Sequence, residues 1–345
     1  MLKYSFNMGF KTELPQKEKE KHPVFTDISE LPGVGPATAE KLKEIGYSTI
    51  EALATATISE LEAAGIGEKK AAELINLARE SIEISWVTAK ELASLKSNIG
   101  RLTTGSKALD ALVGGGLETQ SITEFFGEFG SGKSQICHQL AINVQLPPEK
   151  GGLNGAALYI DTENTFRIER IEQMAKHLGL DFDKVSERII YSEAYNSDHQ
   201  MLLLDKADRI IKENNVKLII IDSLTAHFRS EYAGREMLPE RQQKLNKHMH
   251  KLIRLARAFN AVAVVTNQVM ARPDEFFAPT AVSPVGGHIV GHTSHTRLFI
   301  RKTAGKNVRI VRLISSPYLP EGEVLIKITA NGIEDVEESE KERRQ

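Results

Sequence analysis

From residue 99 to about 336 the chain alternates two apolar patterns. Continuous apolar runs of strand length, at 121–126, 156–160, 189–192, 218–221 and 261–265, are separated by longer stretches with helical period. Such runs mark strands buried on both faces, and their alternation with helices is the βαβ signature of a mainly parallel sheet. Shorter-looped runs at 296–301, 308–314 and 324–328 are expected to extend that sheet in the antiparallel sense. Upstream, 25–82 reads differently, as short amphipathic helices broken by glycines. It contains a near-repeat, Leu31-Pro-Gly-Val-Gly35 and Ala63-Ala-Gly-Ile-Gly67, each followed by a helical stretch (37–45 and 68–79). The expected organisation is a disordered tail (1–24), a small all-α domain (25–82), a linker (83–98), an α/β core (99–336) and an acidic end (337–345).

Composition narrows the classes. Apolar residues make up 41% of the 345 and charged ones 26%, values of a globular protein rather than a fibre or a disordered chain. One cysteine, Cys137, forbids an intramolecular disulfide and fits a reducing compartment. The aliphatic run 218–221 is far too short to span a bilayer, and the first ten residues lack a signal peptide's apolar stretch. A cytoplasmic protein is expected, with no membrane partner. The net charge of -2 argues against a uniformly basic surface, but between His227 and Lys302 twelve Lys and Arg face five Asp and Glu. That segment suits an anionic polymer, or is a solvated helix face.

The glycine turns of the small domain can aim backbone amides at a phosphate, with Lys41, Lys43, Lys69 and Lys70 close behind. This resembles the helix-hairpin-helix motif of non-specific DNA-binding proteins. Because 25–82 also holds ten acidic residues against five basic ones, a packing or partner-docking module remains the alternative.

The sharpest motif is Gly127-Glu128-Phe129-Gly130-Ser131-Gly132-Lys133-Ser134, which matches G-x-x-x-x-G-K-[ST] between an expected strand and a helix at 135–145. Its amides form a phosphate nest, Lys133 reaches the β- and γ-phosphates, and the Ser134 hydroxyl suits Mg²⁺. Asp222 closes an aliphatic strand, the form of a Walker B carboxylate that faces the metal. Glu163, after the strand at 156–160, can activate water, or can belong with Asp161 and Thr162 to a capping cluster opening a helix at Arg167. His248 and His250, two apart on an expected helix, point apart and cannot share an ion.

Longer stretches carry a specific resemblance. GEFGSGKSQ, YIDTENTFRIER, NSDHQMLLL, IIIDSLTAHFRSEYAGRE, ERQQKLNKHMHKL, VVTNQVMARPDEFF, GGHIVGH and SPYLPEGE together resemble the archaeal RadA recombinases, a branch of the RecA superfamily of DNA strand-exchange ATPases. The resemblance covers 25 to 336. It implies a RecA-like P-loop ATPase core behind a helix-hairpin-helix domain, and DNA-dependent ATP hydrolysis coupled to homologous pairing and strand exchange.

The resemblance also implies roles for single residues. Glu163 falls at the catalytic glutamate and works with Lys133 and Gln268, the latter sensing the γ-phosphate. Nucleotide contacts extend from the loop to Gln135, to Arg170 against adenine, to the sensor His292 at a subunit interface, and to Pro320 in a cap over the neighbour's nucleotide. Arg229, Tyr232 and Arg235 fall in a first DNA-binding loop, and Arg272, Phe276, Phe277, Gly286 and Gly287 in a second. Trp86 and Ala89 occupy a Phe-x-x-Ala polymerisation motif, with Trp where the family has Phe. Ser315 stands where relatives carry an aspartate that recruits a monovalent cation; the hydroxyl keeps an oxygen but loses the charge. The implied partners are single- and double-stranded DNA, further copies of the chain in a filament or ring, and recombination mediators. A paralogue that assists another recombinase without exchanging strands is the nearest alternative.

Overall fold

The computed structural model describes residues 25, 27–45, 47, 49–81, 87–95, 98–271, 282–284, 287–304 and 307–337. The expectations for the tail 1–24, for Trp86, for Arg272, Phe276, Phe277 and Gly286, and for 338–345 lie outside the described residues. The chain divides into two compact units, 1–95 and 96–345.

The first unit holds a 3-10 turn at Ile28–Glu30 and helices α1 (Pro36–Glu44), α2 (Ile50–Ala54), α3 (Ile58–Ala63), α4 (Glu68–Ser81) and α5 (Ala89–Leu95). Thr49 and Thr57 cap α2 and α3 with their hydroxyls, which explains why such short helices start where they do. Leu42, Leu53, Leu61 and Leu74 meet in a core in which none is more than 1% exposed. The sequence repeat is a structural one. Gly33 and Gly65 take φ of +85° and +76°, Val34 and Ile66 plug into the core, and the carbonyls of Gly35 and Gly67 accept the first bonds of α1 and α4. Helix α5 lies in the expected linker and opens with Thr88 and Glu91 bonding each other's backbone amides, a capping box.

The second unit begins with β1 (Arg101–Leu102), α6 (Lys107–Leu112) and β2 (Leu117–Glu118). The main sheet then starts at β3 (Ile122–Gly127), followed by α7 (Lys133–Asn143), β4 (Ala156–Asp161), α8 (Ile168–His177), α9 (Phe182–Glu187), β5 (Ile189–Glu193), α10 (Ser197–Asp205) and α11 (Ala207–Glu213). Next come β6 (Val216–Asp222), α12 (Ala226–Glu231), α13 (Leu238–Ala258), β7 (Val262–Asn267) and a ribbon of β8 (Val269–Ala271) with β9 (Val282–Pro284). Helix α14 (Gly287–Thr293) leads to β10 (Thr296–Lys302), β11 (Val308–Ser315), β12 (Gly322–Thr329) and β13 (Gly332–Asp335).

Nine strands form one sheet in the order β13-β12-β11-β10-β3-β7-β6-β4-β5. The antiparallel extension starts one strand later than the sequence suggests, because β10 runs parallel to β3. The reason is the excursion through β8, β9 and α14, which returns the chain to the opposite end of the sheet before β10 begins. Strands β3, β4 and β7 are buried at every position, so their sequences are near-continuously apolar. Strand β6 shows how the sheet divides the core: Leu218 and Ile220 join Leu140 and Ala141 of α7, while Ile219 and Ile221 join Met249 and Leu252 of α13.

Register brings the functional ends together. Phe126 pairs with Asn267 and Asp161 with Asp222, so β3, β7, β6 and β4 finish along one edge. The end of the fold closes on its start: Asp335 accepts from the backbone amides of Lys107 and Ala108, at 3.1 and 3.0 Å, and from the Ser106 hydroxyl.

Candidate functional site

The glycine-rich loop is shaped by steric demand. A Cβ at Gly127 would lie 2.2 Å from the carbonyl oxygen of Ile300 on the adjacent strand, and one at Gly132 would lie 2.3 Å from Ile328 Cδ1. Gly132, with φ of +110°, caps α7 and leaves its first amides without a side-chain partner, the arrangement that receives anions at a helix start. Lys133 folds back over the loop, Nζ donating to the carbonyls of Gly127 and Glu128 at 2.9 Å each. Burial lowers its pKa, against the opposing pull of Asp222 and Glu163. The Ser131 hydroxyl is buried with no hydrogen-bond partner among the described residues, while its carbonyl accepts from Arg309 Nε at 2.8 Å. Phe129, at the tip, is 82% exposed, and Ser134 sits half-buried in the first turn of α7. Gln135 accepts from Arg170 Nε at 2.7 Å, and the same guanidinium donates to the carbonyls of Thr329 and Ala330 at 2.6 Å.

Beside the loop, Asp222 is held on both carboxylate oxygens. The Tyr159 hydroxyl donates to Oδ2 at 2.7 Å and the Thr266 hydroxyl to Oδ1 at 2.5 Å. Asp161 organises the turn after β4, accepting from the amides of Glu163 (3.1 Å) and Phe166 (2.9 Å). The helix that follows starts at Ile168 with no side-chain cap. No side chain of this cluster therefore caps the helix: Asp161 holds the turn, and the Glu163 carboxylate accepts from Gln268 Nε2 at 2.8 Å. Burial raises the Glu163 pKa, Asp222 adds to the rise, and Lys133 and Gln268 oppose it.

Glu163, Gln268, Ser223, Ser230 and Arg229 line one cleft of about 370 Å³. Arg229 on α12 and Arg235 in the following turn are exposed. Tyr232 departs from expectation. Instead of offering its ring at a loop it is 8% exposed in the core, with Lys244 Nζ 5.0 Å above the ring and donating to its hydroxyl. It closes α12 as the C-terminal cap and packs with Phe228, Leu245 and Met249, where Lys244 of α13 holds its hydroxyl. His292, exposed on α14, belongs to a different cavity of about 730 Å³ with His250, Arg257, Ser315 and Ser316, which no residue of the glycine-rich loop lines. Pro320 is exposed between β11 and β12, Gly287 is the first residue of α14, and Ala89 is the exposed first residue of α5. His248 is buried and His250 exposed, as their spacing requires.

Sequence reasoning missed Tyr159, Thr266 and Arg309. Tyr159 and Thr266 each had a signal, a hydroxyl within a largely apolar strand, whereas Arg309 had none, since β11 carries Arg312 as well.

The strand order β3-β7-β6-β4, with the glycine-rich loop following β3 and Asp222 closing β6, defines a RecA-like P-loop core. Comparison with known proteins carries this to a family. Residues 95–336 match the Rad51 family model, and 25–80 match the SAM-like helix-hairpin-helix tandem. The chain is 54% identical over 313 residues to the DNA repair and recombination protein RadA of Aeropyrum pernix, covering 90% of this chain and 97% of that one. It is equally 54% identical, over 326 residues, to the RadA of Ignicoccus hospitalis, covering 93% and 98%. The chain belongs to the Rad51 family, in its RadA branch of DNA recombinases. Among the described residues no helix is long and apolar enough to cross a membrane.

Proposed function

We propose that this chain is an ATP- and Mg²⁺-dependent recombinase that polymerises on single-stranded DNA in the cytoplasm, at the nucleoid, and exchanges homologous strands with a duplex. The observation that carries the reading is the Gln268 to Glu163 hydrogen bond. It joins the residue leading into the second DNA segment to a carboxylate beside Lys133 and Asp222.

The loop from Gly127 to Gln135 would hold the phosphates of ATP. The unpartnered Ser131 hydroxyl and the Lys133 ammonium resting on two loop carbonyls are groups that an anion would satisfy. Ser134 and Asp222 would hold Mg²⁺, Asp222 being oriented by Tyr159 and Thr266. When bound, ATP supplies the phosphoryl group whose hydrolysis releases DNA. Glu163 accepts the proton of the attacking water, and its raised pKa brings it nearer the working pH of a general base. Gln268 restrains Glu163 until its amide moves.

Arg170 would lie against the base, whereas His292 and Pro320 would act on the nucleotide of a neighbouring protomer. The separation of the His292 cavity from this chain's own loop supports that division. Ser315 brings an uncharged oxygen to the cap, so dependence on monovalent cations is weak. Arg229, Arg235 and the segment 272–287 bind DNA without reading sequence, weakened by salt. Residues 83–98 link the domains, Trp86 and Ala89 anchor the next subunit, and mediators act on the resulting filament.

The test is ATP hydrolysis with and without single-stranded DNA, electron microscopy of the same samples, and a Glu163→Gln control. Stimulated turnover with helical filaments is the expected result. A chain whose turnover DNA does not stimulate and that forms no filaments would refute the reading.

A further inference from the structure

Strand β3 carries a charge where the fold has every reason to avoid one. Glu124, three residues before the glycine-rich loop, is completely buried. A carboxylate in such a place is kept only when it is paired and hydrogen-bonded. Glu124 has two partners from the strands on either side: Arg297 Nε of β10 donates to Oε2 at 2.7 Å, and Asn267 Nδ2 of β7 donates to Oε1 at 2.9 Å.

The chain of bonds continues at both ends. The other atom of the Asn267 amide, Oδ1, accepts from the Thr225 hydroxyl at 2.7 Å, and Thr225 is the residue from which α12 and its Arg229 spring. At the opposite end the Arg297 guanidinium lies over the Phe126 ring, 5.2 Å from its centroid, and against α14, where a Cβ at Gly291 would meet Nη1 at 3.2 Å. Four side chains therefore run beneath the carboxyl edge of the sheet, from the start of the first proposed DNA segment to the helix that carries His292. They pass through Asn267, the immediate neighbour of Gln268.

Charge gives this chain a direction. A carboxylate only accepts, so Asn267 must present its NH₂ to Glu124 and its oxygen to Thr225, and the Thr225 hydroxyl must donate. A glutamine at 124 both donates and accepts, which lets the Asn267 amide turn over. An apolar core of the same volume would serve stability as well as a buried ion pair. What the pair adds is a fixed orientation shared by three segments.

We propose that Glu124 and Arg297 are positioning residues that act through Asn267 to hold α12, the end of β7 and α14 in one register, coupling DNA at the binding segments to turnover at Glu163. The inference rests on the recombinase reading above. The test uses the full chain and compares Glu124→Gln with the unaltered protein, measuring ATP turnover with and without single-stranded DNA and thermal melting. Glu124→Gln is expected to keep DNA-free turnover within about twofold while its stimulation by DNA falls by about fivefold, the lower end of coupling between sites. A merely structural role would lower both rates together with the melting temperature and leave their ratio unchanged, which overturns the inference. Should Glu124→Gln fail to fold, Thr225→Val removes the donor at the far end of the chain of bonds. Loss of stimulation there supports the proposal, and an unchanged ratio overturns it. A wild-type chain that DNA does not stimulate would sink the recombinase reading itself. A stimulated wild type with equally stimulated variants sinks only this inference.

Discussion

Two parts of this chain use glycine to start a helix, and they use it for opposite reasons. In the small N-terminal unit a Cβ at Gly33, Gly35 or Gly67 would meet nothing within 4 Å. In the core, a Cβ at Gly127 or Gly132 would strike Ile300 or Ile328 at 2.2 and 2.3 Å. At Gly65 a Cβ would meet only the mobile end of Lys41 at 3.6 Å, so the N-terminal turns have room to spare, Gly33 being needed only for its positive φ and Gly35 leaving helix amides uncapped. The core loop is walled in by β10 and β12, which makes it one rigid piece with the sheet. Similar glycine spelling thus marks a surface left accessible in one place and a fitted cradle in the other.

The comparison breaks or sharpens under substitution. The largest effect is expected at the chemistry the rigid loop serves: Glu163→Gln should lower ATP turnover by about 10²- to 10⁴-fold, the range for a lost general base, with little change in melting temperature. Next comes Gly127→Ala, which forces a methyl group against the Ile300 carbonyl and should destabilise the core by about 3 kcal/mol in urea unfolding. Gly33→Ala should cost the N-terminal unit about 1 kcal/mol, from backbone conformation alone. Gly35→Ala should change stability by less than about 0.5 kcal/mol while weakening DNA binding at low salt. A loss at Gly35 as large as at Gly127 would end the distinction between open and walled turns.

The smallest effect is one of pH. Burial and Asp222 raise the Glu163 pKa, so if Glu163 is the base, turnover is expected to fall at a higher pH than for an ordinary glutamate. Gln268 opposes that rise through its amide. Gln268→Ala should move the acid limb of the rate profile to higher pH, and a limb that stays put or moves down would mean the amide does not hold Glu163 in solution.

Much of the core was legible because its chemistry is local. The strands β3, β4, β6 and β7 read as apolar runs since both faces are covered, and the loop and Asp222 lie at their ends. Local reading placed the start of α7 at 135, two residues late, because Gly132 with its positive φ caps the helix directly at Lys133. Helix α5 went unread although Thr88 and Glu91 spell its capping box. What stayed hidden depends on pairing between distant segments. The direction of β10 is set by an excursion that leaves no periodic trace, and the inward turn of Tyr232 is set by the α13 side chain Lys244. The hydroxyls on Asp222 come from β4 and β7, neighbours that only the sheet order reveals.

The grip of Asp335 on the start of α6 has a consequence for synthesis. A ribosome delivers Ser106, which caps α6 locally, early and Asp335 among the last residues of the core, so the amides of Lys107 and Ala108 wait for their acceptor through nearly the whole of translation. A nascent chain halted before Gly332 would carry the glycine-rich loop and all four strands that surround it, yet leave α6 unfastened. The same closeness of first helix and last strand lets the two ends of the core be spliced and the chain reopened at a surface turn, giving a circular permutant in which the clasp forms at mid-synthesis rather than at its close.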